Sequence, residues 1–242
     1  MSDHLNHECG LALIRLLKPL DYFKKKYGTS TYGLNKLYLM LEKQHNRGQD
    51  GAGFASIKLD CSPGERFMHR ERSANQNPIK EIFELSNNRI QSEITNNPNL
   101  KGNLDLQKKE IPHISELFLG HVSDGTFGKN SKEAVHPFLR QNNWMNRNLI
   151  VAGNFNMTNN KELFDDLVSL GQHPKEMSDT VTVMENIGHF LDEAVIKIYK
   201  KLRKEGMSKP DASKIIGQQL DIPKVLKKAT KNWDGGYVIG GM

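Results

Sequence analysis

Cys9 is the residue of this chain with the clearest potential for covalent chemistry. It follows Glu8, precedes Gly10 and leads into an apolar, strand-like run. If residues 1–8 were removed, Cys9 would carry a thiol together with a free α-amine, a group that titrates at about pH 7.7–8.0. Because a thiol is a good nucleophile even when only partly ionised, such a residue would be a nucleophile with its own base. The chemistry that this predicts is hydrolysis, and the alternative is an inert, buried cysteine.

The apolar pattern places Cys9 at the head of a buried strand over 10–17. A helix over 33–44 follows, because apolar residues recur there at i, i+3, i+4 and i+7. It leads into a Gly-rich loop, 46–53, and a second strand over 54–59. Residues 86–112 are rich in Asn, Gln and Lys and poor in large apolar groups, which predicts a surface excursion.

The second half of the chain combines strands with longer helices. Strands are predicted over 117–122 and 148–152, the latter ending in a turn at Gly153. Ser178-Asp179 is typical of an N-cap and predicts a long helix that reaches about Arg203. Further elements are predicted at 161–170 (helix), 223–231 (basic helix) and 236–239 (strand). This succession predicts an α/β or α+β layered domain.

Composition narrows the class of protein. The 242 residues are 26% charged and 37% apolar, a profile typical of soluble globular proteins. Two cysteines, Cys9 and Cys61, cannot form a disulfide framework or a paired metal site, and the chain has neither a signal peptide nor a bilayer-length apolar stretch. We therefore expect a reduced, cytoplasmic protein with no metal and no membrane association.

The net charge of +6 is spread along the chain, with mild clusters at 24–26 and 197–231. We interpret it as a solvated basic face, because no aromatic residues interleave with the charge and no recognition motif occurs. We expect no nucleic-acid partner.

Five short motifs occur in order along the chain: Glu8-Cys9-Gly10, 44–53, Gly120-His121-Val122, 153–159 and Ser178-Asp179-Thr180. Together they closely resemble the glutamine amidotransferase domain of amidophosphoribosyltransferases, the class II amidotransferases that begin purine synthesis. The resemblance spans nearly the whole chain, apart from an insertion at about 60–115.

The resemblance implies an α+β fold, the four-layer αββα sandwich of the N-terminal nucleophile hydrolases. It makes residues 1–8 a propeptide and residues 9–242 the amidotransferase domain. The strand at 236–239 stops abruptly, which predicts that the domain is truncated at its C-terminal end; a short native end is the alternative. The phosphoribosyltransferase domain of the family has no counterpart in this sequence.

The resemblance also implies a mechanism and a site. The Cys9 thiolate would attack the side-chain amide of glutamine, release ammonia and form a thioester, which water would hydrolyse to glutamate. The implied catalytic residues are Cys9, Gly153 and Asn154, and the implied substrate-binding residues are Arg47, Thr126 and Asp179. Gly153 would donate a backbone N–H to the oxyanion and Asp179 would hold the substrate α-amine. The structural alternatives are a turn glycine at 153, an N-cap at 178–179 and a surface arginine at 47.

Two departures from the family pattern bear on activity. Ser123 and Asp124 stand where the family carries an arginine and an aromatic residue, and that arginine clamps the substrate carboxylate. A charge-assisted hydrogen bond contributes about 1.5–3 kcal/mol, so about ten- to a hundred-fold in binding is at stake. Ala152-Gly153 replaces an Asn-Gly pair, and a lost oxyanion donor costs about 10²–10³ in turnover unless Asn154 substitutes.

The functional prediction is therefore a glutaminase that serves phosphoribosylamine formation only with a missing synthase domain or a partner chain. The alternative is a weakened or silent module with a structural or regulatory role. The full-length family implies a homo-oligomer. No cofactor is expected, and the iron–sulfur cluster of some family members is excluded because the cysteines are too few.

Overall fold

The structure of the chain, a computed structural model, describes residues 9–123 and 132–242. The chain divides into two compact units, Met1–Pro137 and Phe138–Met242, called here the N-terminal and C-terminal units. Each unit contains one antiparallel sheet with helices. The α+β class with two antiparallel sheets is thus confirmed.

The N-terminal unit is built on a four-stranded sheet with the strand order β1-β4-β2-β3, in which all neighbours are antiparallel. Its elements are β1 (Cys9–Arg15), α1 (Leu20–Tyr27), α2 (Tyr32–Glu42), β2 (Gly51–Ile57), β3 (Met68–Ser73), α3 (Pro78–Asn96), α4 (Leu104–Glu110) and β4 (Leu117–Ser123). The helix expected over 33–44 is confirmed as α2. The strand expected over 117–122 is confirmed as β4.

Glycines let α2 approach β4 closely. A Cβ on Gly120 would lie 3.0 Å from the Cδ1 atoms of Leu37 and Leu41, and a Cβ on Gly33 would meet the ring of Phe118. Phe118 and Gly120 share one face of β4, because side chains alternate along a strand. The buried core of this unit lies between that face and the helices.

The prediction that residues 86–112 form a surface excursion is wrong. The segment belongs to α3, α4 and their connections, and its apolar members Ile90, Leu100 and Ile111 are at most 2% exposed. The few apolar residues recur at helical spacing and face the core, while Asn, Gln and Lys occupy the outer faces. Low average hydropathy concealed an amphipathic helix.

Aromatic residues do interleave with lysines in α1, contrary to the sequence interpretation. Lys26 Nζ lies 5.3 Å from the ring centroid of Tyr27, which stacks on Tyr32 with its centroid 4.5 Å away. The rings pack on one another and on Phe23, which is buried. The absence of a nucleic-acid partner stays a prediction.

The C-terminal unit is built on a three-stranded sheet with the order β5-β6-β7. Its elements are β5 (Phe138–Arg140), β6 (Leu149–Met157), α5 (Asn160–Ser169), α6 (Asp179–Lys204), α7 (Lys209–Gln219), α8 (Ile222–Ala229) and β7 (Gly235–Gly241). The long helix begins where expected, and the Ser178 hydroxyl accepts from the Val181 N–H at 3.4 Å as its N-cap.

The turn expected at Gly153 is wrong, because β6 continues through it to Met157. Gly153 pairs with Ile239 and Asn154 pairs with Val238 in the ladder with β7. A Cβ on Gly153 would run into the carbonyl oxygen of Val238. The glycine therefore permits close approach of two strands and does not end one.

In the part of the chain that the structure describes, residues 9–123 and 132–242, none of the helices is both long and apolar enough to cross a bilayer. Nor do three or more His, Cys, Asp or Glu side chains of that part come together as metal ligands would.

Candidate active site

Cys9 stands at one end of the N-terminal sheet. It is the first residue of β1 and lies opposite Ser123 of β4, which in turn lies opposite Gly51 of β2. The Ser123 hydroxyl donates to the Gly51 carbonyl oxygen at 3.3 Å. The Cys9 side chain is partly buried. Three neighbouring strands thus place Cys9, Ser123 and Gly51 in one row.

The Gly-rich loop packs against this row. A Cβ on Gly48 would lie 2.5 Å from the carbonyl carbon of Ser123 and 2.6 Å from its nitrogen. The Asp50 N–H donates to the Ser123 carbonyl oxygen at 3.1 Å. Gly48 has extended backbone, with φ −174°, so its role is to leave room and not to allow an unusual conformation.

Gln44 connects the end of α2 to the strand of Cys9. Its Nε2 donates to the Leu11 carbonyl oxygen at 3.4 Å. A Cβ on Gly10 would lie 2.8 Å from Gln44 Oε1 and 2.6 Å from Val122 Cγ2. A larger residue after Cys9 would therefore require the side chains of Gln44 and Val122 to shift.

Arg47 lies in a short 3₁₀ turn, His45–Arg47, that contacts β1 and β4. Its N–H donates to the Gln44 carbonyl oxygen at 2.8 Å, and its side chain is exposed. The N-terminal unit thus brings Arg47 to the same end of the sheet as Cys9.

The C-terminal unit carries the other described candidates. Gly153 and Asn154 lie within β6, next to the fully buried Ala152. An Asp179 carboxylate oxygen accepts from the Met157 N–H at 2.9 Å, which ties the first residue of α6 to the last residue of β6. The N-cap is Ser178, so Asp179 is not needed for that role.

Some predicted positions lie outside the described residues. These are Thr126, Asp124 and the expected propeptide, residues 1–8. Among the described candidates, Cys9 and Arg47 are brought together in one unit, and Gly153, Asn154 and Asp179 belong to the other.

The chain matches no protein-family model and no curated protein. An enzyme described as the allosteric regulatory enzyme of purine biosynthesis matches 97% of the chain at 19% identity, with a TM-score of 0.50. The two share a fold.

A second solved structure is the glutamine phosphoribosylpyrophosphate amidotransferase from B. subtilis in complex with ADP and GMP. It matches 98% of the chain at 18% identity, with a TM-score of 0.48. The chain spans only 35% of the length of each of these two proteins. The likeness to the first is one of fold, over about a third of that enzyme.

A pair of stacked histidines lies close to this end of the sheet and was missed in the sequence. His121, two residues before Ser123 on β4, is buried, and its ring centroid lies 4.6 Å from that of His136. Burial, and then the charge of His121, hold the pKa of His136 well below its usual range. The backbone of His136 also lies against Gly53, where a Cβ would meet its carbonyl oxygen. The two histidines lie fifteen positions apart, and no local pattern in the sequence links them.

Proposed function

We propose that this chain is the glutaminase part of an amidophosphoribosyltransferase-like enzyme and uses Cys9 as its nucleophile. The observation that carries the proposal is the row of Cys9, Ser123 and Gly51, enclosed by the loop that contains Gly48. This row holds Cys9 in a fixed position at the end of the sheet, and the turn that contains Arg47 lies beside it. The fold shared with an enzyme of purine biosynthesis supports the same assignment.

The chemistry begins with removal of residues 1–8. The new α-amine of Cys9 takes the thiol proton, and the thiolate attacks the amide carbon of glutamine. The tetrahedral intermediate collapses with protonation of the leaving nitrogen, releasing ammonia and leaving a thioester. Water then cleaves the thioester, which gives glutamate and regenerates the thiol. In this scheme Gly153 and Asn154 stabilise the oxyanion.

The remaining candidates bind the substrate. Asp179 faces the α-amine of glutamine, and Arg47 and Thr126 shape the pocket. A carboxylate opposite an ammonium forms a charge-assisted hydrogen bond, which is stronger than a neutral one. We further propose that the chain acts in the cytoplasm without a cofactor, as an N-terminal nucleophile hydrolase. A phosphoribosyltransferase domain or partner chain would use its ammonia, within a homo-oligomer.

A second candidate function is a silent module that keeps the fold without the reaction. Two observations favour it. Ala152 is fully buried and has no side-chain donor, and the Ser123 hydroxyl is neutral and already donates to the Gly51 carbonyl oxygen. Neither residue can supply the cation or the amide that the family places at these positions.

One experiment separates the two candidates. The intact mass of the purified chain is measured before and after exposure to a glutamine-like diazoketone, which alkylates an activated cysteine. The glutaminase proposal predicts loss of residues 1–8 and one adduct, absent in Cys9→Ala. Cys61→Ala is the matched control, because it removes the other cysteine of the sequence and should leave the adduct unchanged. An intact leader with no adduct would favour the silent module.

A further inference from the structure

We propose that Arg72 is a positioning residue of the glutaminase site, because it holds one wall of that site in place. The wall is the segment of residues 132–137, called here the strap. The strap crosses the sheet of the N-terminal unit on the side that carries Cys9. The inference rests on the proposed function, since it concerns how glutamine is bound beside the nucleophile.

Arg72 and the nucleophile belong to the same face of the sheet. Directly opposed residues of neighbouring strands share a face, and side chains alternate along each strand. Cys9 lies opposite Ser123, and two residues earlier on β4 His121 lies opposite Gly53. Gly53 in turn lies opposite Arg72 of β3. The row that contains Arg72 is therefore the next one to the row of Cys9.

Two glycines of β2 let the strap lie close against this face. A Cβ on Gly53 would run into the His136 carbonyl oxygen, and a Cβ on Gly51 would lie 3.0 Å from Val135 Cγ2. The same position on Gly51 is only 2.8 Å from the Ser123 hydroxyl oxygen. Val135 therefore packs beside Ser123, which is the neighbour of the nucleophile in its row.

Two arginines of β3 fasten the strap to the sheet. Arg72 Nη1 donates to the carbonyl oxygens of Glu133 and Val135, each at 2.9 Å. Arg70 Nη1 donates to the Pro137 carbonyl oxygen at 3.2 Å. Hydrogen bonds from a charged donor are stronger than neutral ones. Arg72 thus holds the part of the strap that packs beside the row of the nucleophile, and Arg70 holds its other end.

A glutamine that is bound at Cys9 and lies along the row reaches the strap. Neighbouring strands are about 4.7–4.9 Å apart. The four C–C bonds between the side-chain amide carbon and the α-carboxylate carbon, each about 1.5 Å long, span about 5 Å when extended. The α-carbon end of the substrate then lies over Ser123 and against Val135. Release of the strap would widen this end of the pocket and weaken substrate binding, while the reacting thiol stays in place.

Steady-state glutaminase kinetics of the full chain test the proposal. Arg72→Met keeps the apolar stem and removes the donors, so it should raise KM for glutamine at least about tenfold and leave kcat within about twofold. Arg72→Lys keeps a charged donor and should return KM to within about threefold of the wild type. Arg70→Met is the matched control, because it removes an arginine of the same strand and face that holds the other end of the strap. Its KM should equal that of the wild type.

Three results would overturn the proposal. An unchanged KM in Arg72→Met would show that the strap does not border the substrate. An equal rise of KM in Arg70→Met would mean that both arginines only stabilise the fold. A fall of kcat at constant KM would mean that Arg72 acts on the reaction and not on binding.

Hydrogen–deuterium exchange of the strap amides distinguishes failure of this inference from failure of the proposed function. In Arg72→Met these amides should exchange faster than in the wild type, whether or not the chain hydrolyses glutamine. Unchanged exchange in an active chain overturns the inference alone. A wild-type chain that releases no glutamate overturns the proposed function, and the binding role of Arg72 with it, even if the strap is released.

Discussion

Cys9 and Ser123 lie directly opposite one another at the end of the β1–β4 ladder. The backbone of Ser123 is fixed from two further sides, by the close approach of Gly48 and by the hydrogen bond from the Asp50 N–H. Its side chain makes only one described hydrogen bond, to the Gly51 carbonyl. The backbone at position 123 is thus fixed, whereas its side chain is lightly constrained. A substitution at this position can therefore test whether the site lacks a cation for the substrate carboxylate.

Ser123→Arg should raise glutaminase activity. The guanidinium group would offer a forked donor to the substrate carboxylate, and we expect kcat/KM for glutamine to rise about ten- to a hundred-fold. Glutamate release measures it. Ser123→Gln controls for side-chain length without charge and should give little gain. Equal activity of Ser123→Arg and the wild type would count against an otherwise intact glutaminase site.

Gly48→Ala should destabilise the N-terminal unit. The new methyl group would meet the backbone of Ser123 at 2.5–2.6 Å, and backbone cannot move aside as a flexible side chain can. Overpacking of this kind costs about 1–3 kcal/mol, which urea unfolding would measure. Gly236→Ala is the control, because a Cβ there has no heavy atom within 4 Å. Unchanged stability of Gly48→Ala would show that the loop is not held against β4.

Local patterns predicted the elements that carry strong periodic signals. Helix α2 follows from apolar residues at helical spacing, and α6 follows from its N-cap at Ser178 and its long amphipathic run. These signals are contained within a few turns of chain, so the sequence alone discloses them.

Features set by distant contacts could not be predicted in this way. Local propensity predicts that the strand ends at Gly153. In the structure the strand continues, and the glycine leaves room for the carbonyl oxygen of Val238, which is far away in the sequence. The stacking of His121 on His136 depends on a tertiary contact between two separate segments of the chain, which no local pattern encodes. The row of Cys9, Ser123 and Gly51 could be predicted only in part from the sequence, because the register in which the strands pair is set by the whole sheet.

A single glycine on α6 makes room for a half-buried arginine. A Cβ on Gly188 would lie 2.6 Å from Arg140 Cδ and 2.7 Å from its Cζ. The guanidinium group cannot move away without loss, because it donates to Asp192 Oδ2 at 2.7 Å and to Glu185 Oε2 at 3.0 Å. We expect Gly188→Ala to cost about 1–3 kcal/mol, although alanine favours helix by about 1 kcal/mol.

The sign should reverse when the arginine is absent. In an Arg140→Ala background, Gly188→Ala should stabilise the protein by about 1 kcal/mol, because only the helix propensity remains. The four proteins form a double-mutant cycle measured by urea unfolding. A zero coupling energy would mean that the glycine is not required by the arginine.

A buried histidine should make stability depend on acid pH. His69 is only 7% exposed, and burial, followed by the charge of Lys58, lowers its pKa to about 3. Its Nε2 lies 3.2 Å from the Arg66 carbonyl oxygen, to which the neutral ring donates. Between pH 6.5 and 3 the unfolded chain binds a proton that the folded chain does not, with about pH 6.5 as the ordinary midpoint. The His69 contribution is therefore complete above about pH 6.5 and is lost as the pH falls towards 3.

His69→Gln should flatten this dependence, because glutamine keeps a donor and does not titrate. The loss of unfolding free energy between pH 7 and pH 4.5 should be smaller than in the wild type by about 2–3 kcal/mol, at about 1.4 kcal/mol for each pH unit below 6.5. Burial also lowers the pKa of His113, so part of the slope should remain in the variant. His173→Gln is the matched control, since His173 is exposed and should leave the wild-type slope intact. Urea unfolding at both pH values measures the difference, and parallel slopes for His69→Gln and the wild type would mean that His69 is protonated in the folded chain.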